Sequence, residues 1–295
     1  MTDSLLICTD LDRTLIPNGP QAESSGARRH FAALTAHEHV TLAYVTGRHR
    51  TLVEEAMNTF RLPVPDFVIA DVGTNIYRVG PKHEWLLQQD WADEIGQDWA
   101  GCSYLDLAGL LSDLRALRMQ ERMKQNRHKL SYYLPLYQDI DQLAAAIRER
   151  LEPAGFKVRL VWSVDDATDV GLLDILPERA SKRHAIEALM HRLDFRLEDT
   201  VFCGDSGNDM EVLISPIPAV LVANSRPEVK RLARELSAES GTLDALYAAC
   251  GGFQGMNGNY SAGMLEGIAH YHPDTTGWMG FQSPAGEAPQ DRETA

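Results

Sequence analysis

The sequence predicts an α/β protein in which a Rossmann-like parallel sheet is interrupted by an inserted α+β segment. Short apolar runs alternate with helix-like segments in the first 80 residues and again after residue 171, which is typical of a parallel sheet with helices on both faces. Between these stretches, polar and apolar residues alternate, which is typical of strands with one exposed face. The 295 residues are enough for both parts.

Five apolar runs are the predicted strands of the parallel sheet, because strands buried on both faces are apolar almost throughout. They are residues 5–9, 40–45, 67–70, 201–203 and 219–224. Helical periodicity predicts the connecting segments. The predicted helices are 27–39, 51–60, 182–193, 227–236 and 261–271. Ser181 is the expected N-cap of the third helix.

The inserted segment is expected at residues 81–170. A strand-like run, an amphipathic helix and a second strand-like run lie within it, at 129–134, 141–151 and 156–162. The last residues are rich in Gly, Pro, Gln and Glu, which is typical of disorder. The predicted division is a discontinuous core domain of 1–80 and 171–272, an inserted domain of 81–170 and a disordered tail of 273–295.

The charge balance excludes several classes of partner. The sequence has 28 basic and 42 acidic residues and a net charge of −14, whereas a protein that binds nucleic acid or an anionic membrane needs a basic surface. No apolar run reaches the length of a membrane span, and the N-terminus lacks the basic region of a signal peptide. The cysteines form no Cys-x-x-Cys pair. We therefore expect a cytoplasmic protein that acts on a small molecule.

Four carboxylates follow two of the predicted strands. Asp10 and Asp12 follow the first strand, and Asp205 and Asp209 follow the strand at 201–203. Because ligands of an open parallel sheet bind beyond the carboxyl ends of its strands, these side chains are expected to meet at one edge. Clustered carboxylates repel each other unless a cation is present, and hard oxygen ligands favour Mg²⁺. The sequence therefore predicts a Mg²⁺ site.

Other polar residues at the same edge predict a phosphate site. Lys182 opens a predicted helix, where its charge and the helix N-terminus both favour an anion. Thr46, Gly47 and Arg48 follow the second strand, where the Thr46 hydroxyl and nearby backbone N–H groups can donate hydrogen bonds. A further polar loop begins at Asp71.

Asp10 and Asp12 are the candidate catalytic residues. Asp10 would attack the phosphate and form an aspartyl-phosphate. Asp12 would protonate the leaving oxygen and then take a proton from the attacking water. Mg²⁺ and Lys182 would offset the repulsion between a carboxylate and a phosphate dianion. The predicted reaction is phosphoryl transfer.

Four motifs in this order resemble those of the haloacid dehalogenase (HAD) superfamily. They are Asp10-Leu11-Asp12-Arg13-Thr14-Leu15, Thr46-Gly47-Arg48, Lys182, and Gly204-Asp205-Ser206-Gly207-Asn208-Asp209. Further segments resemble the sucrose-phosphate phosphatases, and the resemblance spans roughly residues 5–272. These segments are 72–77, 128–133, 174–177 with 180–182, and 261–271.

The resemblance implies a HAD core with an inserted cap of the C2B type that closes over a sugar phosphate. It implies that Mg²⁺ is bound by the side chains of Asp10 and Asp205 and by the backbone carbonyl of Asp12. Asp209 would support the metal indirectly or through water. The function implied is hydrolysis of sucrose 6-phosphate to sucrose and phosphate, with the sugar-phosphate synthase of the same pathway as a possible protein partner.

On the substrate side, the resemblance implies that Lys129 reaches from the cap toward the sugar phosphate. Asn208 is expected to orient the phosphate or Lys182. Three structural alternatives to these functional roles stay open. Arg48 pairs with an acid at the sheet edge, Asp209 caps the following helix, and Lys129 belongs to a solvated basic run. Arg13 stands where the superfamily usually has a small or neutral residue. Its side chain could bind substrate, but we expect it to point along the loop to solvent.

The sequence leaves other sugars open as substrates. The segment 163–170 is longer than the resemblance implies and lies where the chain returns to the core. Another phosphorylated disaccharide or glycoside, such as mannosylfructose phosphate, is therefore an alternative substrate. A sugar phosphomutase is a second alternative, and a non-enzymatic domain that binds a sugar phosphate or a synthase is a third.

Overall fold

Two β-sheets organise the computed structural model, which describes residues 4–165 and 169–281. The strands are β1 (Leu5–Thr9), β2 (Val40–Val45), β3 (Phe67–Ala70), β4 (Asn75–Val79), β5 (Trp85–Leu87), β6 (Arg118–Met119), β7 (Leu130–Leu134), β8 (Val158–Asp165), β9 (Val170–Pro177), β10 (Thr200–Gly204), β11 (Ala219–Leu221) and β12 (Leu246–Ala248). The α-helices are α1 (Ala27–Thr35), α2 (Arg50–Phe60), α3 (Gln89–Gly96), α4 (Tyr104–Leu110), α5 (Ile140–Leu151), α6 (Lys182–Leu193), α7 (Met210–Leu213), α8 (Pro227–Glu239) and α9 (Ser261–Tyr271).

The larger sheet confirms the predicted α/β core. Its strand order is β12-β11-β10-β1-β2-β3-β4-β5, and all the pairs from β12 to β3 are parallel. Strands β4 and β5 extend the sheet as antiparallel strands. Since β1 lies at the centre, its apolar side chains are buried on both faces: Leu5 and Ile7 pack into one core cluster, and Leu6 and Cys8 pack into the other.

The smaller sheet has the order β6-β7-β9-β8, and its strands are antiparallel. A separate apolar cluster lies against it, built on Trp99, Tyr132, Ile147 and Leu173. Helices α4 and α5 supply part of this cluster. The predicted α+β insertion therefore has its own core.

The boundaries of the two sheets differ from the expected domain limits of 81 and 170. Residues after 81 still belong to the larger sheet, because β5 pairs with β4. Trp91 of α3 is buried in the cluster of the larger sheet, and its indole N–H donates to the carbonyl of Gly73 at 3.0 Å. At the other end, β9 continues the smaller sheet to Pro177.

The chain passes from the larger sheet to the smaller one after α3 and returns before α6. Hydrogen bonds of Asp98 hold these two crossing segments together. The buried Asp98 carboxylate accepts the backbone N–H of Arg179 at 2.8 Å, and its backbone carbonyl accepts the N–H of Lys157 at 2.9 Å. Asp98 lies just after α3, and Arg179 lies just before α6. The outgoing and returning segments are therefore held side by side.

The predicted disordered tail is wrong for residues 273–281; residues 282–295 lie outside the described residues. A 3-10 helix spans Pro273–Met279 and buries Met279 against α1. Trp278 stacks on His37 with ring centroids 3.9 Å apart, and Phe281 stacks on His30 at 4.1 Å. The prediction of disorder rested on the average composition of residues 273–295, which does not reflect these few apolar residues. They pack the first part of the tail against α1 and the residues around it. In the described parts of the chain, no helix has the length and apolar character needed to cross a bilayer.

Candidate active site

Four adjacent parallel strands bring the candidate residues to one edge of the larger sheet. In the order β10, β1, β2, β3, the loops after these strands begin near Asp205, Asp10, Thr46 and Asp71. The N–H of Asp10 donates to the carbonyl of Cys203 at 2.9 Å, which continues the ladder between β1 and β10 to the site. The edge predicted from the strand pattern is therefore present.

Lys182 joins two of the carboxylates. Its Nζ donates to Asp10 Oδ1 at 2.8 Å and to Asp209 Oδ1 at 2.7 Å, and all three side chains are buried. Ser181 caps α6 by accepting the N–H of His184 at 3.2 Å, as predicted, and this cap fixes Lys182 as the first residue of the helix. A cation at a helix N-terminus is disfavoured by the helix dipole, so the two carboxylates are what stabilise it.

Asp209 has two functions in the fold of its loop. Its Oδ2 accepts the backbone N–H groups of Asp205 and Ser206, both at 3.2 Å, and with Ser206 it forms a capping box for the 3-10 turn at 207–209. Asp209 therefore supports the 3-10 turn that contains it and contacts Lys182. The alternative that it caps the following helix is not what the structure shows, because its side chain makes no capping hydrogen bond to α7. Asp209 holds the loop and Lys182 in one arrangement.

Asp10, Asp205 and Asp209 form a candidate metal centre. One carboxylate oxygen from each lies within 4.8 Å of the others, and all three residues are buried. Hard oxygen donors of this kind are the ligands that Mg²⁺ prefers, so the residues fit the expected ion. The Asp12 side chain does not join this group, because Arg48 binds it.

The electrostatics of the centre reflect burial and crowding. Burial raises the pKa of Asp10 well above its ordinary value, Lys182 opposes the shift, and Asp209 adds to it. Burial, with a contribution from Asp209, also raises the pKa of Asp205 to about 6, although Arg13 opposes the shift. Burial alone would lower the pKa of Lys182, but Asp10 and Asp209 outweigh it and raise that pKa. Lys182 is therefore a permanent cation, and a further cation would favour the ionised carboxylates.

Arg48 binds Asp12 through a bidentate pair of hydrogen bonds from its guanidinium group. Nε donates to Asp12 Oδ2 at 2.7 Å, and Nη2 donates to Oδ1 at 2.6 Å. Asn18 Nδ2 donates to Oδ1 as well, at 2.7 Å. Burial would raise the pKa of Asp12, but Arg48 and Asn18 outweigh burial and lower it. The alternative that Arg48 pairs with an acid is therefore observed, and Asp12 is held as a carboxylate.

The expectation for Arg13 is wrong. Its side chain does not follow the loop to solvent but turns inward, where Nε donates to Asp205 Oδ2 at 3.1 Å and Nη2 donates to the carbonyl of Asn224 at 3.3 Å. The backbone of Arg13 is left-handed, with φ of 58°. This conformation aims the side chain across the loop, which a sequence pattern does not reveal.

Thr46 and Asn208 lie at the edge of the sheet but are differently placed. Thr46 is buried, its hydroxyl accepts the N–H of Arg48 at 3.2 Å, and its own N–H donates to Ile69 within the sheet. The hydroxyl is thus the polar group that Thr46 offers to a ligand. Gly47 follows Thr46, and a Cβ added there would make only an ordinary contact, with Val72 Cγ2 at 3.9 Å. Asn208 is exposed, and its side chain accepts a hydrogen bond from Ser206 rather than from Lys182.

The loop after β3 has a strained backbone. Three consecutive residues, Asp71, Val72 and Gly73, have φ of 52°, 60° and 95°. A β-branched residue such as Val72 rarely adopts this conformation, and such strain is concentrated at functional sites. Gly73 packs against the N-terminus of α6: a Cβ at this position would lie 2.5 Å from the carbonyl carbon and oxygen of Ser181. The loop therefore sets the position of Lys182.

Lys129 lies between carboxylates of the two sheets. Its Nζ is 3.7 Å from Asp71 Oδ1, on the larger sheet, and 3.7 Å from Asp174 Oδ1, on β9. The side chain is 6% exposed, so it is not part of a solvated basic face. Nearby, Asn126 Nδ2 donates to the Thr74 hydroxyl at 2.8 Å and bridges the two sheets. Asp71 and Asp174 were not among the predicted site residues, although Asp71 begins a polar loop noted in the sequence and Asp174 lies in a segment that the resemblance included.

Comparison with known proteins gives consistent matches over nearly the whole chain. The family model of sucrose-6F-phosphate phosphohydrolase matches residues 3–272. A protein of Nitrosococcus oceani named only as a HAD-like hydrolase is 49% identical over 95% of this chain and 75% of its own length. The mannosylfructose-phosphate phosphatase of Agrobacterium fabrum is 30% identical over 78% of this chain and 87% of its own length.

A solved structure agrees with the fold. The sucrose-phosphatase of Synechocystis sp. PCC6803, solved with sucrose and phosphate, aligns with a TM-score of 0.68 and 27% identity, over 91% of this chain and 98% of that chain. The chain spans only about 60% of the length of the tobacco sucrose-phosphatase 1 that it matches.

Proposed function

The chain belongs to the sucrose-6F-phosphate phosphohydrolase family of HAD hydrolases, and from this membership we propose that it hydrolyses the phosphate ester of a phosphorylated sugar, with sucrose 6-phosphate as the first expected substrate. The observation that carries the proposal is the buried centre of Asp10, Lys182, Asp209 and Asp205. A protein that only bound a sugar phosphate would not need a nucleophile beside an acid-base residue.

Asp10 is the proposed nucleophile. It lies directly after the central strand, and Lys182 holds Oδ1 at 2.8 Å, which leaves Oδ2 as the attacking oxygen. Attack on phosphorus forms an aspartyl-phosphate and breaks the bond to the sugar oxygen. Lys182 stays protonated and offsets the charge of the phosphate and the carboxylates. Bound Mg²⁺, held by Asp10 and Asp205 with support from Asp209, would supply further charge neutralisation.

Asp12 is the proposed acid and base. It must carry a proton when the sugar oxygen leaves, whereas Arg48 keeps it ionised in the arrangement described above. Loss of the contact with Arg48 would raise the pKa of Asp12 toward the protonated state. In the second step the ionised form is the useful one, because it accepts a proton from the water that attacks the aspartyl-phosphate. Arg48 therefore favours the second step.

The sugar is proposed to lie between the two sheets, near Lys129. Lys129, Asp71 and Asp174 provide donors and acceptors at one place, as recognition of hydroxyl groups requires. Thr46 would bind the phosphate through its hydroxyl, and Asn208 would reach it only by turning away from Ser206. The similarity to mannosylfructose-phosphate phosphatase favours a second candidate, a different phosphorylated disaccharide. A synthase partner and a cytoplasmic location stay predictions.

Phosphate release from a panel of phosphorylated mono- and disaccharides tests the proposal. We expect release from sucrose 6-phosphate or a related disaccharide phosphate, its loss with EDTA and its return with Mg²⁺. Asp10→Asn should lower kcat by about a thousandfold or more, whereas Asp141→Asn, at an exposed carboxylate in the first turn of α5, should leave it unchanged.

The outcomes separate the candidate functions. No release from any sugar phosphate would refute a phosphatase, and transfer of phosphate between positions of one sugar would indicate a mutase. Appreciable turnover by folded Asp10→Asn would remove Asp10 as the nucleophile. Activity that is insensitive to EDTA would refute the proposed requirement for Mg²⁺.

A further inference from the structure

Each acidic side chain of the site contacts a basic side chain. Lys182 bridges Asp10 and Asp209, and Arg48 binds Asp12. The remaining carboxylate, Asp205, is bound by Arg13 at 3.1 Å. Lys182 and Arg48 are parts of the motifs that the sequence resemblance includes, whereas Arg13 departs from the usual small or neutral residue.

Arg13 is fixed in place by neighbouring residues on both sides of the loop. Its backbone N–H donates to Asn18 Oδ1 at 2.8 Å, and its backbone carbonyl accepts a hydrogen bond from Asn224 Nδ2 at 2.6 Å. Its guanidinium group also donates to the Asn224 carbonyl. Asn224 is itself held, because its Oδ1 accepts the N–H of Tyr260 at 2.8 Å. The contact with Asp205 is therefore part of a packed arrangement and not of a loose surface side chain.

This position puts a permanent positive charge beside the candidate metal centre. Asp205 belongs to the group of three carboxylates whose oxygens lie within 4.8 Å of each other. A cation bound by these oxygens would lie a few ångströms from the guanidinium group, and two positive charges at such a distance repel each other in a partly buried site. In addition, Arg13 engages Oδ2, one of the two oxygens that Asp205 can offer.

We propose that Arg13 is a built-in counter-ion of Asp205 that competes with the divalent cation. It neutralises the acidic centre and thereby stabilises the fold, and it lowers the affinity of the centre for metal. This inference rests on the proposed metal-dependent function. It makes the metal affinity of the centre dependent on Arg13, the residue that follows Asp12 in the first motif.

An orienting role for Arg13 predicts the opposite effect on metal affinity. If Arg13 only aimed Asp205 at the ion, its loss would weaken metal binding, as the loss of a partner of a metal ligand usually does. Glutamine at this position can still donate to a carboxylate but carries no charge. Arg13→Gln therefore separates the charge of Arg13 from its hydrogen bond.

The test is Mn²⁺ binding to the purified protein, measured from the free Mn²⁺ signal by electron paramagnetic resonance, without substrate. Arg13→Gln should bind Mn²⁺ about tenfold more tightly than the wild type, and Arg13→Lys should stay close to the wild type. Arg150→Gln, which removes a surface pair between α5 and Asp113 in the turn after α4, is the matched control and should not change binding.

Thermal unfolding in EDTA gives a second readout that needs no metal. Arg13→Gln should unfold at a lower temperature than the wild type in EDTA and should gain more from added Mg²⁺. Equal or weaker Mn²⁺ binding by folded Arg13→Gln would overturn the inference and leave the proposed function standing. Absence of Mn²⁺ binding to the wild type would overturn both.

Discussion

The substitution Gly73→Ala should damage both the stability of the protein and its active site. Gly73 has φ of 95°, and an added Cβ would lie 2.5 Å from the carbonyl carbon and oxygen of Ser181 and 3.0 Å from the N of Lys182. These are backbone atoms at the start of α6, so they cannot move without moving Lys182. The predicted consequence is displacement of the Lys182 ammonium from Asp10 and Asp209.

The expected change in the free energy of unfolding is the sum of two destabilising contributions and one stabilising contribution. A left-handed conformation costs an alanine about 1–2 kcal/mol relative to glycine, and overpacking costs about 1–3 kcal/mol. The lower conformational entropy of the unfolded chain returns about 0.4–1 kcal/mol. The net loss in the free energy of unfolding is therefore about 3 kcal/mol, or roughly 6–12 °C in Tm for a chain of this size.

Urea unfolding and phosphatase assays measure the two effects. Gly109→Ala is the matched control, because Gly109 lies in α4 with nothing within 4 Å of an added Cβ, and alanine there should stabilise the helix by about 0.5–1 kcal/mol. We expect kcat to fall in Gly73→Ala and to stay unchanged in Gly109→Ala. If the two variants had the same stability and activity, the reasoning about the loop and Lys182 would be refuted.

Two further predictions concern the smaller sheet. Lys129→Ala should lower kcat/KM for the sugar phosphate much more than for a small aryl phosphate, because Lys129 lies between Asp71 and Asp174, at the proposed sugar site; equal losses on both substrates would place it outside that site. Burial lowers the pKa of His128 to about 4, so the folded state binds a proton on this imidazole less tightly than the unfolded state does. The protein therefore loses stability as the pH falls from about 6.5 to 4, by up to about 3 kcal/mol. His128→Phe should lose less stability than the wild type between pH 7 and 4.5 in urea unfolding, and identical losses would contradict this assignment.

The parallel sheet and the clustering of the main candidate residues could be predicted, because local sequence determines them. The strands that follow one another in the core are short apolar runs, and the polar residues after them must lie at one edge, which placed Asp10 and Asp205 together. Ser181 marks a helix start by its own chemistry, so the position of Lys182 followed. These inferences needed no knowledge of which distant residues pack together.

The remaining features depend on tertiary contacts. Strand β5 joins the larger sheet only through its pairing with β4, and its side chains are mostly exposed, so its residues were assigned to the inserted segment. The direction of Arg13 depends on a left-handed backbone and on partners about 200 residues away. Lys129 lies in a basic run, but burial between two carboxylates decides its position, and burial is not visible in a run of charges.

The hydrogen bonds of Asp98 have a consequence for protein engineering. Because Asp98 contacts Arg179 directly, the intervening residues leave and rejoin the larger sheet at nearly the same point in space. A linker of a few residues could join these positions, so the inserted unit could be removed or exchanged for that of a relative without lengthening the path between α3 and α6. Asp98 and Arg179 are therefore the natural junctions for such an exchange.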